Sequence, residues 1–184
     1  VYRRLVFALT ALHAVMVERK KYGGLGWNVR YEWMWTDLYT CVEQVRQWCQ
    51  SVNASAVDGT LRGDVSVPWS MLRHMVGDVH YGGRVTDDKD QRCVRALVSQ
   101  FLAPEVILQN QPLFAMAVDA AGEPTRTLSL PDATTCLTLD AVTAHCADVS
   151  SDAPAVFGLH ETAATSVALQ ETEVLVSQLQ TATG

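Results

Sequence analysis

The chain has 184 residues, of which 48% are apolar and 18% are charged; this composition is typical of a globular protein and excludes an intrinsically disordered one. Its net charge of −6 argues against nucleic acid as a partner of the whole chain, because proteins bind phosphate backbones through basic surfaces. The longest apolar run, residues 5–17, is shorter than the roughly 20 residues that cross a bilayer. The sequence therefore predicts neither a nucleic-acid nor a membrane partner.

The cysteines and the ends of the sequence bear on where the protein works. The five cysteines, Cys41, Cys49, Cys93, Cys136 and Cys146, have no C-x-x-C spacing. An odd, sparse set favours reduced thiols in a cytoplasmic compartment over a disulfide framework. The sequence starts without methionine and shows no signal peptide, and we expect it to be a segment of a longer protein.

Charge divides the chain into two parts. Residues 1–110 hold 13 of the 14 Lys and Arg and 11 of the 20 Asp and Glu, a net charge of +2. Residues 111–184 hold one basic residue, Arg126, and nine acidic residues, a net charge of −8. All five tryptophans also precede residue 70. This shift in composition predicts a domain boundary near residue 110.

Helical patterns dominate the first part. Helices are predicted over residues 2–20, from Thr36, from Pro68 and over residues 87–102, followed by a short helical turn over residues 104–108. The first of these has apolar side chains on most sides, which predicts burial on most sides. On this apolar helix, His13 is predicted to be a hydrogen-bonded core residue.

Two segments of the first part are predicted to be loops. Residues 22–35 combine glycines with Trp27, Tyr31 and further aromatic residues, which predicts an irregular segment that its aromatic side chains anchor to the helices. A stacking platform for sugars or bases is the alternative, although no basic face accompanies it. Residues 51–66 are rich in Ser, Asn, Asp and Gly and predict a surface loop.

A pair of glycines lies between the third and fourth predicted helices. Their position predicts a corner at which Gly82 or Gly83 has a positive φ. Thr86 is predicted to cap the next helix, with Asp87 in its first turn. Arg84 is predicted to fix the corner through carbonyls of the preceding helix or a nearby carboxylate. A solvated surface arginine is the alternative.

The second part has weaker patterns. Strands are predicted over residues 113–118 and 126–130 around a turn at residues 122–124, and helices over residues 139–147, capped by Thr138, and over residues 167–179. The last helix is expected to pack through Leu169, Val174, Leu175 and Leu179. The predicted fold class is mainly α: a helical bundle followed by a small α+β segment.

Motifs that carry chemistry are missing from the sequence. There is no phosphate-binding G-x-x-x-x-G-K-[ST] loop, and the histidines and cysteines have no metal-ligand spacing. Asp87, Asp88 and Asp90 lack the surrounding pattern of a calcium loop and are better explained by a helix start. The sequence therefore predicts no catalytic residue, no cofactor and no metal.

Three blocks of sequence resemble the C-terminal motor region of dynein heavy chains. The first is ERKKYGGLGWNVRYE, residues 18–32, and the second is YGGRVTDD, residues 81–88, which Val67-Pro68-Trp69 precedes. The third, VFGLH at residues 156–160, resembles the start of the dynein C-terminal domain. At position 24 this chain has Gly where the family usually has Pro. The second and third blocks resemble axonemal more than cytoplasmic dyneins.

The resemblance implies a fold and a role. Residues 1–110 would be the helical lid of the sixth AAA+ module, which is not expected to bind nucleotide, and residues 111–184 would begin the C-terminal domain. The segment would be a non-catalytic structural part of an ATP-driven, microtubule-based motor that transmits conformational change within the AAA+ ring. A free-standing helical adaptor is the alternative, and an enzyme with an unrecognised site is a third hypothesis.

The resemblance also implies partners, location and a set of structural or interface residues. The partner would be the rest of the motor ring in the same chain, with dynein intermediate and light chains and microtubules reached only through the parent complex. The location would be the cytoskeleton, in a ciliary or flagellar axoneme. The candidate residues are Gly23, Gly26, Trp27, Tyr31, Trp69, Tyr81, Gly82, Gly83, Arg84, Thr86, Asp87, Phe157 and Gly158.

Overall fold

The structure is a computed structural model that describes residues 1–53, 67–118, 124–131, 138–147 and 154–183. The α-helices of this part are α1 Tyr2–Glu18, α2 Gly23–Gly26, α3 Trp35–Asn53, α4 Trp69–His74, α5 Asp88–Phe101, α6 Pro104–Gln109, α7 Leu139–Ala147 and α8 Thr162–Thr183. Tighter 3₁₀ turns lie at Arg19–Tyr22, Gly82–Arg84 and Pro154–Phe157, and a π-helical turn at Met75–His80. Strands β1 Phe114–Val118 and β2 Pro124–Leu128 pair antiparallel. The prediction of a mainly α fold with a small α+β segment is confirmed.

Several predicted boundaries differ from the structure. Residues 51–53 form the last turn of α3 rather than the start of the predicted surface loop. The rest of that predicted loop, residues 54–66, lies outside the described residues, and so do residues 122–123 of the predicted turn. Residues 23–26 form one helical turn, α2, inside the predicted irregular segment. No described helix is both long and apolar enough to span a membrane.

Helix α1 lies at the centre of the core. Its side chains with no exposed surface are Leu5, Ala8, Leu9, Leu12 and Met16, and it packs against α3, α5 and α6. Nη1 of Arg4 donates a hydrogen bond of 2.9 Å to the Ile107 carbonyl, which satisfies an acceptor in the last turn of α6. One long apolar helix thus organises the first part of the chain.

The predicted burial of α1 on most sides is confirmed, since Phe7, Ala11 and Val17 beside its fully buried face pack partly against the core. Thr10 and Ala14 on the opposite face are exposed. That face lines an apolar groove of about 290 Å³, whose other wall includes Leu128 and Phe157. The second part of the chain covers this face of α1 only partly, because β2 and the turn at residues 154–157 approach without closing on it.

The aromatic segment, residues 27–34, has no regular secondary structure and is held by its rings. Trp27, Tyr31 and Trp33 are 4–5% exposed. The ring centroids of Trp27 and Trp33 lie 4.8 Å apart, and those of Tyr31 and Trp33 5.3 Å apart. The predicted anchoring is confirmed, and these three rings are too buried to serve as a stacking platform.

The corner between α4 and α5 differs from the prediction. Helix α4 continues into the π turn, where Tyr81 N donates to the Val76 carbonyl at 3.0 Å, a step of five residues. Neither Gly82 nor Gly83 has a positive φ, because the chain stays right-handed through the π and 3₁₀ turns and leaves in an extended conformation at Val85. The predicted left-handed glycine is therefore wrong.

The cap of α5 is also one residue later than predicted. Asp87, not Thr86, is the N-cap: its Oδ1 accepts hydrogen bonds from Lys89 N at 2.9 Å and Asp90 N at 3.0 Å. A carboxylate caps as well as a hydroxyl and adds its charge at the positive end of the helix. These bonds, with one from Asn28, hold the pKa of Asp87 below its ordinary value.

Among the residues that the structure describes, fewer buried side chains lie in the second part of the chain. Thr138 caps α7 as predicted, since its Oγ1 accepts from Ala141 N at 3.2 Å. Helix α8 begins at Thr162, five residues earlier than predicted, and Ala163 in its first turn is 3% exposed. The four side chains through which it was expected to pack are 55–65% exposed, whereas α8 contacts the 3₁₀ turns at Arg19–Tyr22 and Pro154–Phe157.

His13 and Tyr81 join α1 to the corner. His13 Nδ1 and the Tyr81 hydroxyl share a hydrogen bond of 2.9 Å, and Tyr81 has no exposed surface. Burial lowers the pKa of His13, although Asp37 opposes the shift, and burial raises the pKa of Tyr81. The predicted hydrogen bond of His13 is confirmed, although the residue is half-buried rather than part of the core.

We predict that Gly82→Ala destabilises the chain and that Gly83→Ala does not. A Cβ at Gly82 would lie 2.0 Å from the Gly77 carbonyl oxygen, whereas the nearest atom to a Cβ at Gly83 is 3.8 Å away. Overpacking of this kind costs about 1–3 kcal/mol, which is roughly 3–9 °C in the thermal midpoint of a chain of this length. Equal midpoints for the two variants, measured by circular dichroism, would contradict the assigned close approach.

We also predict that the chain loses stability as the pH falls below about 6.5. Because the pKa of His13 in the fold is below its ordinary value of 6.5, the unfolded chain binds the proton more readily, and protonation favours unfolding. The midpoint should therefore fall between pH 7.5 and pH 5.5, and it should fall less in His13→Asn, which cannot titrate. An equal fall in both proteins would rule out His13 as the source.

Candidate functional site

The described residues hold no metal-ligating cluster, and three of their thiols have a raised pKa. No group of three or more His, Cys, Asp and Glu among them is placed to hold a metal ion. Cys41, Cys49 and Cys93 are free thiols. Burial raises the pKa of Cys41 to about 12 and also raises the pKa of Cys49 and Cys93, so these thiols stay protonated and unreactive near neutral pH.

Arg19 is the buried charge on which the glycine-rich segment is built. It follows α1 directly and is 5% exposed. Its Nε and Nη2 donate to the Gly26 carbonyl at 3.2 and 3.0 Å, and its guanidinium carbon lies 4.9 Å from the ring centroid of Trp27. Burial lowers the pKa of Arg19, but the group remains charged and finds its partners in carbonyls and an aromatic face.

The glycine turn, residues 23–26, packs closely against the backbone of Arg19 because Gly26 has no side chain. A Cβ at Gly26 would lie 1.8 Å from the Arg19 carbonyl oxygen, and Gly23 has a φ of +52°. Trp27 follows the turn, and its Nε1 donates to the Met16 carbonyl at 3.0 Å. The turn therefore brings the Gly26 carbonyl and the Trp27 ring to the same guanidinium.

The C-terminal hook, residues 154–158, closes on the same arginine. Nη1 of Arg19 donates to the Phe157 carbonyl. The Phe157 ring lies 5.6 Å from that of Tyr22, and Gly158 turns the chain away with a φ of +65°. A single side chain thus joins residues near the start of the chain to residues near its end.

A second buried charge holds the aromatic segment against α5. Asp90 is 5% exposed, and its two carboxylate oxygens accept from Asn28 N and Val29 N, each at 3.1 Å. Asp87 adds a bond of 3.1 Å from Asn28 Nδ2 and donates through its own backbone N to the Tyr31 hydroxyl at 3.2 Å. The two glycine-rich blocks of the sequence therefore meet at the start of α5.

Arg84 attaches the corner to the start of α3. Its Nη2 lies 2.9 Å from Asp37 Oδ1, and its Nη1 donates to the Glu32 carbonyl at 2.9 Å. The Asp37 side chain is only 9% exposed, and its other oxygen accepts from Met34 N at 2.9 Å, as an acidic residue in the first turn of a helix commonly does. The predicted contact of Arg84 with a nearby carboxylate is confirmed, and the carboxylate is that of Asp37. The carbonyl that Arg84 binds is that of Glu32 in the aromatic segment, and not one of the preceding helix.

The structure brings most of the candidate residues into two neighbouring clusters. Around Arg19 lie Gly23, Gly26, Trp27, Phe157 and Gly158. Around the aromatic segment and the corner lie Tyr31, Tyr81, Gly82, Arg84 and Asp87. Gly83 and Thr86 are exposed beside the second cluster, and Trp69 lies apart at the start of α4. In both clusters, charged side chains hold backbone segments together through hydrogen bonds.

Sequence reasoning missed Arg19, Asp37 and Asp90 as organising residues. A signal for two of them was present. Arg19 continues the buried stripe of Leu12 and Met16 at helical spacing, and Asp90 begins the buried stripe of α5. Because a charge on an apolar stripe must be paired or hydrogen-bonded, such positions predict buried networks.

The family model and the relatives that match this chain all point to dynein heavy chains. A family model of the dynein heavy chain AAA lid domain matches residues 2–163. Dynein axonemal heavy chain 6 of Homo sapiens is 28% identical over 178 residues, 97% of this chain. Dynein axonemal heavy chain 3 of Mus musculus is 33% identical over 184 residues, 95% of this chain.

A shorter match runs to the ciliary dynein beta chain of Tripneustes gratilla, which is 33% identical over 106 residues, 58% of this chain. The chain spans only about 4% of the length of the two axonemal relatives and 2% of the beta chain. The family model covers most of the chain, including both charged clusters. The chain therefore belongs to the dynein heavy chain AAA lid domain family.

Proposed function

We propose that this chain is a non-catalytic segment of an axonemal dynein heavy chain, and that it transmits conformational change within the motor ring as one body. The observation that carries the proposal is the contact of Arg19 with the Gly26 and Phe157 carbonyls. An element that passes on a displacement must not deform, and a buried charge shared by three segments resists deformation.

The corner supports the same proposal. Arg84 and Asp37 tie the end of the π turn to the start of α3, and Asp90 ties α5 to the aromatic segment. Each contact joins a charged side chain to a backbone group or an opposite charge, where hydrogen bonds are strongest. The helices on either side of the corner would therefore rotate together rather than hinge at it.

The proposal extends to domains, partners and location. Residues 1–110 would form the lid of the sixth AAA+ module and residues 111–184 would begin the C-terminal domain. The lid would act on the rest of the motor ring in the same chain, and would reach microtubules and the intermediate and light chains only through the parent complex. The names of the axonemal and ciliary relatives support a place in the axoneme.

We predict that Arg19→Gln loosens the hook and the glycine turn together. The variant leaves the Gly26 and Phe157 carbonyls without a charged donor, which costs about 1–3 kcal/mol, or roughly 3–9 °C in the thermal midpoint. Amide hydrogen exchange should accelerate in residues 23–30 and in residues 154–160 at once. The matched control is Arg46→Gln, which removes an exposed ion pair with Glu43 and should change neither segment.

The same pair of variants tests transmission in a full-length axonemal heavy chain. Arg19→Gln should keep basal ATP turnover and lose much of its stimulation by microtubules, while Arg46→Gln keeps both. If Arg19→Gln loosens both segments but leaves the stimulation intact, the residue is structural and the proposed role in transmission is wrong.

We also predict that the 184-residue chain does not bind ATP, since its sequence carries no phosphate-binding loop. Isothermal titration with ATP should show no saturable heat. A site with a dissociation constant below about 100 μM, which corresponds to about −5.5 kcal/mol, would contradict a purely structural role.

A further inference from the structure

A groove between α4 and α5 lies apart from the two charged clusters. It has a volume of about 650 Å³, and its walls include Trp69, Arg73, His74, Asp78 and Arg95. Trp69 packs only partly against the core, so part of its ring faces the groove. Neither the Arg19 cluster nor the corner uses these side chains.

The charges of this basic groove are unbalanced. Asp78 is its one acidic lining residue among those described, and it is already paired. Arg95 Nε lies 2.7 Å and His74 Nδ1 2.9 Å from its carboxylate, and the bond from Arg95 holds the pKa of Asp78 below its ordinary value. One carboxylate therefore faces two guanidinium groups and an imidazole, in a chain whose net charge is −6.

Arg73 and Arg95 are each held in place by a hydrogen bond, and each keeps further N–H donors for a ligand. Arg73 Nε donates to the Leu102 carbonyl at 3.1 Å, and Arg95 keeps 59% of its side chain exposed. A guanidinium has five N–H donors, and these contacts occupy one on each residue. Both arginines thus retain donors in the fork arrangement that binds carboxylates in pairs.

We propose that the basic groove is a docking surface for an acidic protein segment, whose carboxylates pair with Arg73 and Arg95 and whose apolar residue packs on Trp69. Charge complementarity selects this occupant. A nucleic acid is disfavoured, because the described lining of the groove offers only two arginines and phosphate backbones are bound by longer basic surfaces.

The test uses the 184-residue chain and a fluorescein-labelled peptide that alternates Glu with Leu. Its anisotropy should saturate with a dissociation constant of about 1–100 μM. The matched peptide that alternates Gln with Leu should bind at least about tenfold more weakly, and binding of the acidic peptide should weaken as salt is raised. Equal binding of the two peptides, or no binding of the acidic one, overturns the proposal.

Two variants locate the site on the protein. Ser99→Glu places a carboxylate at an exposed position on the wall of the groove and should weaken binding by about tenfold through repulsion. Arg95→Gln should do the same, and circular dichroism checks that both variants are folded. Arg46→Gln on α3 is the control and should bind as the unchanged chain does.

Three further outcomes would overturn the proposal. If a single-stranded DNA oligonucleotide displaces the acidic peptide at lower concentration than the unlabelled peptide does, the groove is a nucleic-acid surface. If the chain self-associates in sedimentation and Ser99→Glu abolishes that self-association, the groove is an interface between copies of the chain. Peptide binding that Ser99→Glu leaves unchanged lies elsewhere on the chain.

Discussion

The buried guanidinium of Arg19 is the constraint on which the rest of the structure depends. A charge at this depth is costly unless hydrogen bonds replace its water. The chain supplies two backbone carbonyls and an aromatic face, and the charge of Asp90 also favours the charged form of Arg19. Because both carbonyls belong to the backbone, the Arg19 side chain holds two backbone segments in place rather than two other side chains. Gly26 lets its backbone approach that of Arg19 closely. Gly158 turns the chain directly after the Phe157 carbonyl that Arg19 binds.

The aromatic segment is held in the opposite way, by buried carboxylates that accept hydrogen bonds from backbone N–H groups. Residues 27–34 lack regular secondary structure, so their backbone N–H groups need partners from elsewhere. Asp90 and Asp37 supply carboxylate acceptors to three of these N–H groups. Buried anions therefore stabilise irregular backbone between α2 and α3, and Arg84 balances the charge of Asp37.

Capping residues predicted the starts of several helices well, because a Pro, Thr or Asp lies at or next to the start of α3, α4, α5, α6 and α7. The π turn was not predicted. Its hydrogen bonds join residues five apart instead of four, and this change hardly alters the spacing of the apolar residues. Arg19 escaped because its partner Phe157 lies 138 residues away in sequence. Asp90 escaped because its acceptor role depends on a loop some 60 residues earlier, and no local pattern reports where that loop folds.

The π turn at Met75–His80 makes the chain sensitive to changes in length at this point. An α-helix advances by about 100° per residue, so the extra residue of the π turn rotates the residues after it by that angle relative to α4. Deleting one residue between 75 and 80 would give a more regular helix, yet it would turn Tyr81 away from His13 and Gly82 away from the Gly77 carbonyl. Substitutions that keep the length are tolerated more readily there than a single deletion, so in this segment the residue count matters as much as residue identity.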